Sequence, residues 1–111
     1  MKKAIVMEDI DNVATALEAV AAGEVIQLLS RKNEDIGQLK AIESIPFGYK
    51  VAITEIAGDD FVIKYGAKIG KALITIKQGE LVHVHNVVSM RVVLPETVKR
   101  EVLAEINYKK I

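Results

Sequence analysis

Glycines divide most of this chain into short segments, and their spacing limits the fold more than any other feature of the sequence. From Gly23 onward, short runs rich in Val, Ile and Thr are separated by glycines, a pattern typical of strands that alternate with turns. The pattern predicts strands over residues 24–29, 50–56, 61–65, 73–76 and 81–90, and hence a mainly β domain. The separating glycines are Gly37, Gly48, Gly58, Gly66, Gly70 and Gly79.

Two connections between these runs have sequence signals of their own. Gly58-Asp59-Asp60 predicts a hairpin turn, because Gly adopts positive φ and Asp can hydrogen-bond its own backbone. The polar segment 30–40 is typical of a mobile loop. We find no internal repeat and no low-complexity tract in the sequence.

One helix is predicted near the N-terminus, over residues 11–23. Asp11 can cap its start, and Gly23 can take the left-handed conformation just beyond its end. A helix this short is marginal alone, so it must pack against the rest of the domain. Its narrow apolar stripe would consist of Val13, Leu17 and Val20.

A second helix is predicted in the C-terminal tail. Pro95 suits the first turn of a helix, and Val98, Val102 and Ile106 fall on one face of the segment that follows. The fold expected is therefore mainly β with one or two helices, with a β domain over residues 1–94 and an amphipathic helical tail over 95–111. The apolar face of the tail could dock a partner or pack on the β domain.

Composition restricts the function. A chain of 111 residues forms one compact domain without a deep cleft of its own, which favours a shared site. The 15 basic and 15 acidic side chains balance, and the lack of a basic block argues against nucleic acid as the main partner. The absence of cysteine excludes disulfides, thiolate metal sites and cysteine nucleophiles. No signal peptide and no membrane span is recognisable, so a soluble cytoplasmic protein is expected.

Both histidines of the chain, His83 and His85, lie in one predicted strand. With one residue between them they would point to the same face, where two imidazoles can bind one metal ion or flank one substrate. Histidine is also the side chain best suited to move protons near neutral pH. An exposed polar face with two incidental histidines has the same spacing, so both interpretations stay open.

The start of the predicted helix is a second candidate site. Asp11, Asn12 and Thr15 lie where free backbone N–H groups would suit a carboxylate or phosphate. A simple N-cap explains the same residues.

Two segments place an amine beside a phenol near a glycine turn. Tyr49 with Lys50, and Lys64 with Tyr65, could bind an acid or a hydroxylated ligand. A strand end with an extended Lys and a half-buried Tyr has the same residues. The sequence contains no serine-protease arrangement, HExxH pair or phosphate-binding loop, so an autonomous hydrolase is not expected.

Five motifs, taken in order, are similar to those of one protein family. Through them the chain resembles the SAF-domain small component of the altronate dehydratase family, which includes the N-terminal domain of galactarate dehydratase and the small subunit of sulfolactate sulfo-lyase. The ordered set covers residues 11–87 and is far more specific than any one motif. The motifs are Asp11-Asn12-Val13-Ala14-Thr15-Ala16-Leu17, Pro46-Phe47-Gly48-Tyr49-Lys50-Val51-Ala52, Lys64-Tyr65-Gly66, Ile69-Gly70-Lys71-Ala72 and His83-Val84-His85-Asn86-Val87.

The resemblance implies a SAF-type β-clip fold and a shared enzyme. The small component would work beside a large catalytic subunit that holds most of the active site and a divalent metal, iron or manganese. The implied reaction is β-elimination from a sugar acid or related hydroxy acid. In it a base removes the proton beside the carboxylate, and an acid helps water or sulfite to leave. The identity of the acid and the formation of a homo-oligomer stay open.

The resemblance also implies roles for individual residues. His83 and His85 would be catalytic groups and, as a further option, metal ligands. Where the family commonly has His, this chain has Tyr49, whose phenol titrates near ~10 and is a poor base at neutral pH. The substrate-binding residues implied are Asp11, Asn12, Thr15, Tyr49, Lys50, Lys64, Tyr65 and Asn86.

Two other hypotheses belong to different classes. The chain could be a stand-alone module that binds a sugar acid or another small ligand without catalysis. It could also be an assembly adaptor, in which case both histidines would be replaceable.

Overall fold

The computed structural model describes residues 1–83 and 85–89, which form nine strands in two sheets. The strands are β1 (Lys2–Val6), β2 (Val13–Ala16), β3 (Val25–Ser30), β4 (Asp35–Lys40), β5 (Lys50–Ala52), β6 (Phe61–Lys64), β7 (Ala67–Ala72), β8 (Leu81–Val82) and β9 (Val87–Ser89). The large sheet has the order β4-β3-β1-β2-β5-β8, and the small sheet has the order β6-β7-β9. β1 and β3 are parallel, and the other strand pairs are antiparallel.

The mainly β prediction is confirmed, but the helix predicted over residues 11–23 is wrong. Its first part is β2, a central strand between β1 and β5. Val13 faces one apolar core and Ala14 the other, so both sides of this segment are buried, as in a strand enclosed by the fold. Residues 1–83 and 85–89 contain no helix, and thus none that is long and apolar enough to cross a membrane. The predicted helical tail, 95–111, lies outside the described residues.

Other predicted elements are correct in part. The runs at 24–29, 50–56 and 61–65 overlap β3, β5 and β6, whereas no predicted run covers β1 or β7. The polar segment 30–40 is not a loop but the turn and second strand of the β3–β4 hairpin. The run at 73–76 has only the isolated bridge of Ile76 with Ile56, and the run at 81–90 is interrupted between β8 and β9.

The turn at residues 57–60 forms, but it does not join a hairpin. Asp60 donates its backbone N–H to the Ala57 carbonyl at 2.9 Å, and Asp59, not Gly58, has the positive φ of 69°. The strand that follows, β6, pairs with β7 and not with β5. The turn residues therefore predicted the bend correctly, but the strand pairing depends on distant contacts.

A nine-residue turn unit occurs four times, over residues 16–24, 41–49, 52–60 and 72–80, and we number these turn units 1 to 4. Each begins with a buried Ala, has a buried Val or Ile at its fifth position and has a positive-φ residue at its eighth. In each, the N–H of the ninth residue donates to the carbonyl of the sixth at 2.9–3.1 Å. The repeat is not recognisable in the sequence, because only three of the nine positions are restricted. The fifth and eighth positions are Val20 and Gly23, Ile45 and Gly48, Ile56 and Asp59, and Ile76 and Gly79.

The turn units dock in two reciprocal pairs. In each pair, the N–H of the eighth residue of one unit donates to the carbonyl of the first Ala of the other, at 2.8–2.9 Å. Units 1 and 2 surround one apolar core, and units 3 and 4 surround a second. β5 joins the cores, because Val51 packs into the first and Ala52 into the second. The fold thus consists of two similar halves that share their central strands.

Candidate functional site

The histidine motif lies in the connection between β8 and β9. Asn86, which is buried, holds this connection: its Oδ1 accepts the His83 N–H at 2.9 Å, and its Nδ2 donates to the Leu81 carbonyl at 2.7 Å. The Asn86 N–H also donates to the His83 carbonyl at 3.0 Å. His83 and His85 are therefore not alternate residues of one continuous strand, as the spacing predicted. They project from a turn that the Asn86 side chain stabilises.

The pairing of β5 with β8 brings the proline-glycine motif to this turn. Lys50 is opposite Val82 in β8 and opposite Thr15 in β2, so these three side chains share one face of the large sheet. The Tyr49 ring contacts the His83 ring, with centroids 4.7 Å apart and planes inclined by 50°. Residues that are distant in sequence thus meet at one end of the large sheet.

The basic cluster, which we define as Lys50, Lys64, His83 and His85, has a distinct electrostatic character. Burial lowers the pKa of His83 below its ordinary value, and the charges of Lys50 and His85 lower it further. Burial also lowers the pKa of Lys50, assisted by the charge of Lys64. The His83 imidazole is therefore mostly neutral at pH 7 and can accept a proton, while the lysines favour an anionic ligand.

The residues present fit only part of the coordination shell of the divalent metal that the resemblance implies. Among the residues that the structure describes, His85 Nδ1 is buried and has no hydrogen-bond partner, which is uncommon for a buried polar atom, so this nitrogen could bind a metal ion, a ligand or a partner. Within the part of the chain that the structure describes, no three His, Cys, Asp or Glu side chains are placed to hold a metal ion together. The described residues could thus supply two imidazole ligands, and the other ligands would come from another chain.

Two predicted binding residues of the first motif have their side chains engaged by the backbone. Buried Asp11 accepts the N–H groups of Glu8, Tyr65 and Gly66 at 2.8–3.1 Å. Asn12 accepts the Ile63 N–H at 2.8 Å, and its own amide donates to a β6 carbonyl. These contacts attach the small sheet to the large one, and no helix N-terminus exists here to bind an anion.

The last predicted pair lies at the β6–β7 turn. Tyr65 has a positive φ of 55°, a conformation held by its N–H bond to Asp11. Its ring is largely exposed and contacts the Lys64 ammonium group, 5.0 Å from the ring centroid. Through Lys64, which belongs to the basic cluster, Tyr65 lies next to that cluster.

A cavity of about 450 Å³ lies between the end of β1 and the β3–β4 hairpin, and no candidate site is predicted there from the sequence. Its lining includes Val6, Arg31 and Ile36. Arg31 Nη2 is 2.7 Å from Glu8 Oε1, so the opposite charges at its rim already pair. No residue of the five sequence motifs lines this cavity, whereas all four residues of the basic cluster belong to those motifs. We therefore take the basic cluster, and not the cavity, as the candidate site.

Comparison with known protein families agrees with the motifs assembled at this site. Residues 2–90 match the altronate/galactarate dehydratase SAF domain, a match that covers both sheets and the basic cluster. The chain belongs to this SAF-domain family.

Relatives of the SAF-domain chain differ greatly in length. It is 38% identical over 88 residues to the (2R)-sulfolactate sulfo-lyase subunit alpha of Chromohalobacter salexigens, a match that covers 78% of this chain and 94% of the relative. It is 39% identical over 77 residues to the altronate dehydratase of Escherichia coli, covering 69% of this chain but 14% of that enzyme. The altronate dehydratase of Bacillus subtilis is 35% identical over 86 residues, covering 78% of this chain and 16% of that enzyme. The same domain is thus a named subunit in one relative and a small segment in the others.

Proposed function

We propose that this chain is the small subunit of a hydroxy-acid lyase, either a dehydratase or a sulfo-lyase, and that it completes the active site of a separate large subunit. One observation carries the proposal: the chain covers 94% of a relative that is named as a subunit of a lyase. That relative consists of little more than this domain, and its name nevertheless describes it as one subunit of a lyase. The same domain occupies about one sixth or less of the altronate dehydratases, whose remaining length would be the counterpart of the large partner proposed here.

The basic cluster suits the anionic part of such a substrate. Lys50 and Lys64 would bind the carboxylate, and their charge would stabilise the negative charge that develops when the neighbouring carbon loses its proton. The lowered pKa of His83 keeps its imidazole neutral and able to take that proton. The electrons of the broken C–H bond then form the C=C bond as the leaving group departs. His85 would donate a proton to a leaving hydroxyl, which departs as water, while sulfite departs without one.

A divalent metal fits this arrangement as a shared group. In the alternative role, His83 and His85 would bind the metal as imidazole ligands instead of transferring protons, and the large subunit would supply the remaining ligands and the proton-transfer groups. When bound, the metal would act as a Lewis acid toward the substrate oxygens. Sugar acids and sulfolactate both contain a carboxylate beside a hydroxylated carbon, so both belong to the substrate class proposed here.

The test is reconstitution of the complete enzyme. The tagged chain is purified from its native cells, the protein that co-purifies with it in stoichiometric amount is identified, and the complex is assayed for elimination from altronate, galactarate and sulfolactate. His83→Ala and His85→Ala are expected to leave the complex intact and to lower kcat by about a hundredfold or more. Arg31→Ala, at the separate cavity, is the control and should retain full activity.

Two results would contradict the proposal. Elimination activity that is unchanged in both histidine variants would exclude their catalytic role. A chain that purifies alone, without lyase activity but stabilised against heat by sugar acids, would instead be a binding module.

A further inference from the structure

Turn unit 2 differs from the other three at its ninth position. In units 1, 3 and 4 this residue is acidic: Glu24, Asp60 and Glu80. The carboxylates of Glu24 and Glu80 accept the backbone N–H of the sixth residue of their own unit, at 2.7 and 2.6 Å. Asp60, which is shorter, accepts the N–H of the next residue at 3.0 Å. In units 1 and 4 the acidic side chain therefore closes the turn, and in unit 3 it binds the residue that follows the turn, whereas unit 2 has Tyr49 at this position.

Unit 2 also differs from the other units at its sixth position, where it has a proline. Pro46 has no N–H, so a carboxylate at position 49 would find no donor there. The backbone bonds of the unit are nevertheless complete: Tyr49 donates to the Pro46 carbonyl at 3.0 Å, and Gly48 donates to the Ala16 carbonyl at 2.9 Å. The turn thus forms without help from the side chain at position 49, which is free for another contact.

That contact is with His83. The two rings are 4.7 Å apart and inclined by 50°, an attractive geometry for a pair of aromatic side chains. Asn86 already fixes the backbone of His83 through the N–H group. The imidazole could still rotate about its side-chain bonds, and the contact with the Tyr49 ring limits this rotation.

We propose that Tyr49 is a positioning residue: its ring holds the His83 imidazole in a fixed orientation within the basic cluster. The effect on turnover rests on the proposed lyase function, whereas the ring contact does not. Tyr49 stands where the other units have an acidic residue, whose carboxylate closes the turn in units 1 and 4. The turn does not require a tyrosine at this position, so we attribute the tyrosine to its contact with His83.

The first experiment compares the His83 ring resonances by NMR in the full, metal-free chain. Tyr49→Phe keeps the ring and should retain the ring-current shifts of His83 and its limited side-chain motion. Tyr49→Ala and Tyr49→Glu, of which the second restores the residue type of the other units, should lose both. Glu24→Ala, at the equivalent position of unit 1, should leave the His83 resonances unchanged.

The second experiment measures kinetics in the two-subunit enzyme. Tyr49→Ala should lower kcat by about tenfold to a hundredfold with little change in KM, since a misplaced catalytic group affects the chemical step more than binding. Tyr49→Glu should lower kcat to a similar extent and also raise KM, because its carboxylate competes for Lys50. Tyr49→Phe should restore kcat to within about threefold of the original chain, far above the variants without the ring.

Unchanged His83 resonances in Tyr49→Ala and Tyr49→Glu, or a Tyr49→Phe variant as impaired as Tyr49→Ala, would overturn the proposal. A complex without any elimination activity would refute the lyase function instead. The NMR comparison would still decide whether Tyr49 orients His83.

Discussion

His83 lies close to solvent, and yet its pKa is lower than that of an ordinary surface histidine. Burial lowers this pKa, and the charges of Lys50 and His85 act in the same direction. The imidazole therefore remains neutral under conditions in which an ordinary histidine, with a pKa of about 6.5, would be partly charged. A neutral imidazole beside ammonium groups can accept a proton from a substrate that those groups bind.

Replacement of Lys50 by Met is expected to raise the pKa of His83. The loss of the neighbouring positive charge favours the imidazolium form, although burial still opposes it, so the pKa should stay below about 6.5. An NMR titration of the His83 ring in the metal-free chain measures this. Lys32→Met, which removes an exposed charge from the β3–β4 turn, is the control. An unchanged His83 titration in Lys50→Met would show that the two groups do not interact.

The same pKa shift has a consequence for stability. Because the folded pKa of His83 lies below its unfolded value, the unfolded chain binds more protons as the pH falls below about 6.5. The His83 contribution to the free energy of unfolding is thus complete above that pH and is lost as the pH falls through the folded pKa.

The members of the site could be predicted from the sequence more fully than their contacts. The ordered motifs identify Tyr49, Lys50, His83 and His85 as candidates from the sequence alone. The Tyr49–His83 contact depends on the pairing of β5 with β8, which joins residues thirty or more positions apart. No local pattern encodes that pairing. Asp11 illustrates the same limit, because its carboxylate binds N–H groups at residues 65 and 66 and not those of a helix that it would begin.

At the scale of elements, all four turn units have a residue with positive φ at the eighth position, but the space around that residue differs from unit to unit. A Cβ added at Gly23 would meet no atom within 4 Å. A Cβ at Gly79 would collide with the Lys40 carbonyl oxygen and press on the Ile42 backbone N at 3.2 Å. Both glycines have a φ of +89°, so the backbone strain of a substitution is the same at the two sites.

Gly79→Ala should therefore destabilise the protein far more than Gly23→Ala. The shared left-handed conformation costs about 1–2 kcal/mol for any residue with a Cβ, and the collision at Gly79 should bring the total to about 3 kcal/mol or more. Urea denaturation of the two variants measures the difference directly. Equal losses of stability would mean that the Lys40 carbonyl moves aside without cost.

The elements that the sequence predicted correctly are those whose signals are local. The runs of β-branched residues that overlap β3, β5 and β6 and the bends marked by Gly or Asp were predicted correctly, whereas the similar run at 73–76 forms only an isolated bridge. The failures occurred where one pattern fits two structures. Residues 11–23 have helix-like caps and spacing, but Val13 and Ala14 are buried on opposite sides, which a strand inside two layers requires. Tertiary packing decides between these alternatives, and a single sequence does not reveal it.

At the scale of the whole molecule, the two apolar cores do not belong to separate domains. Alternate residues of β5 enter different cores, Val51 the first and Ala52 the second, and β2 behaves in the same way. Loss of either core would leave one face of these central strands exposed to water. The two halves should therefore unfold together, although each has its own pair of turn units.

Removal of buried side chains from each half tests this cooperativity. Ile45→Ala in the first core and Ile76→Ala in the second remove fully buried groups, and each should lower the free energy of unfolding by about 2–5 kcal/mol. The exposed neighbours Ile42 and Ile74 provide matched controls, whose replacement by Ala should cost little. In all four variants, urea denaturation should remain a single transition.

Hydrogen exchange then distinguishes shared from separate unfolding. If the central strands couple the cores, Ile76→Ala should reduce amide protection in β1 and β3 as well as in β6 and β7, because the most protected amides exchange only when the whole domain opens. Loss of protection confined to the small sheet would mean that the second half opens alone. Such independent opening would release Lys64 from the basic cluster while leaving Lys50 in the large sheet, so the integrity of the site depends on this coupling.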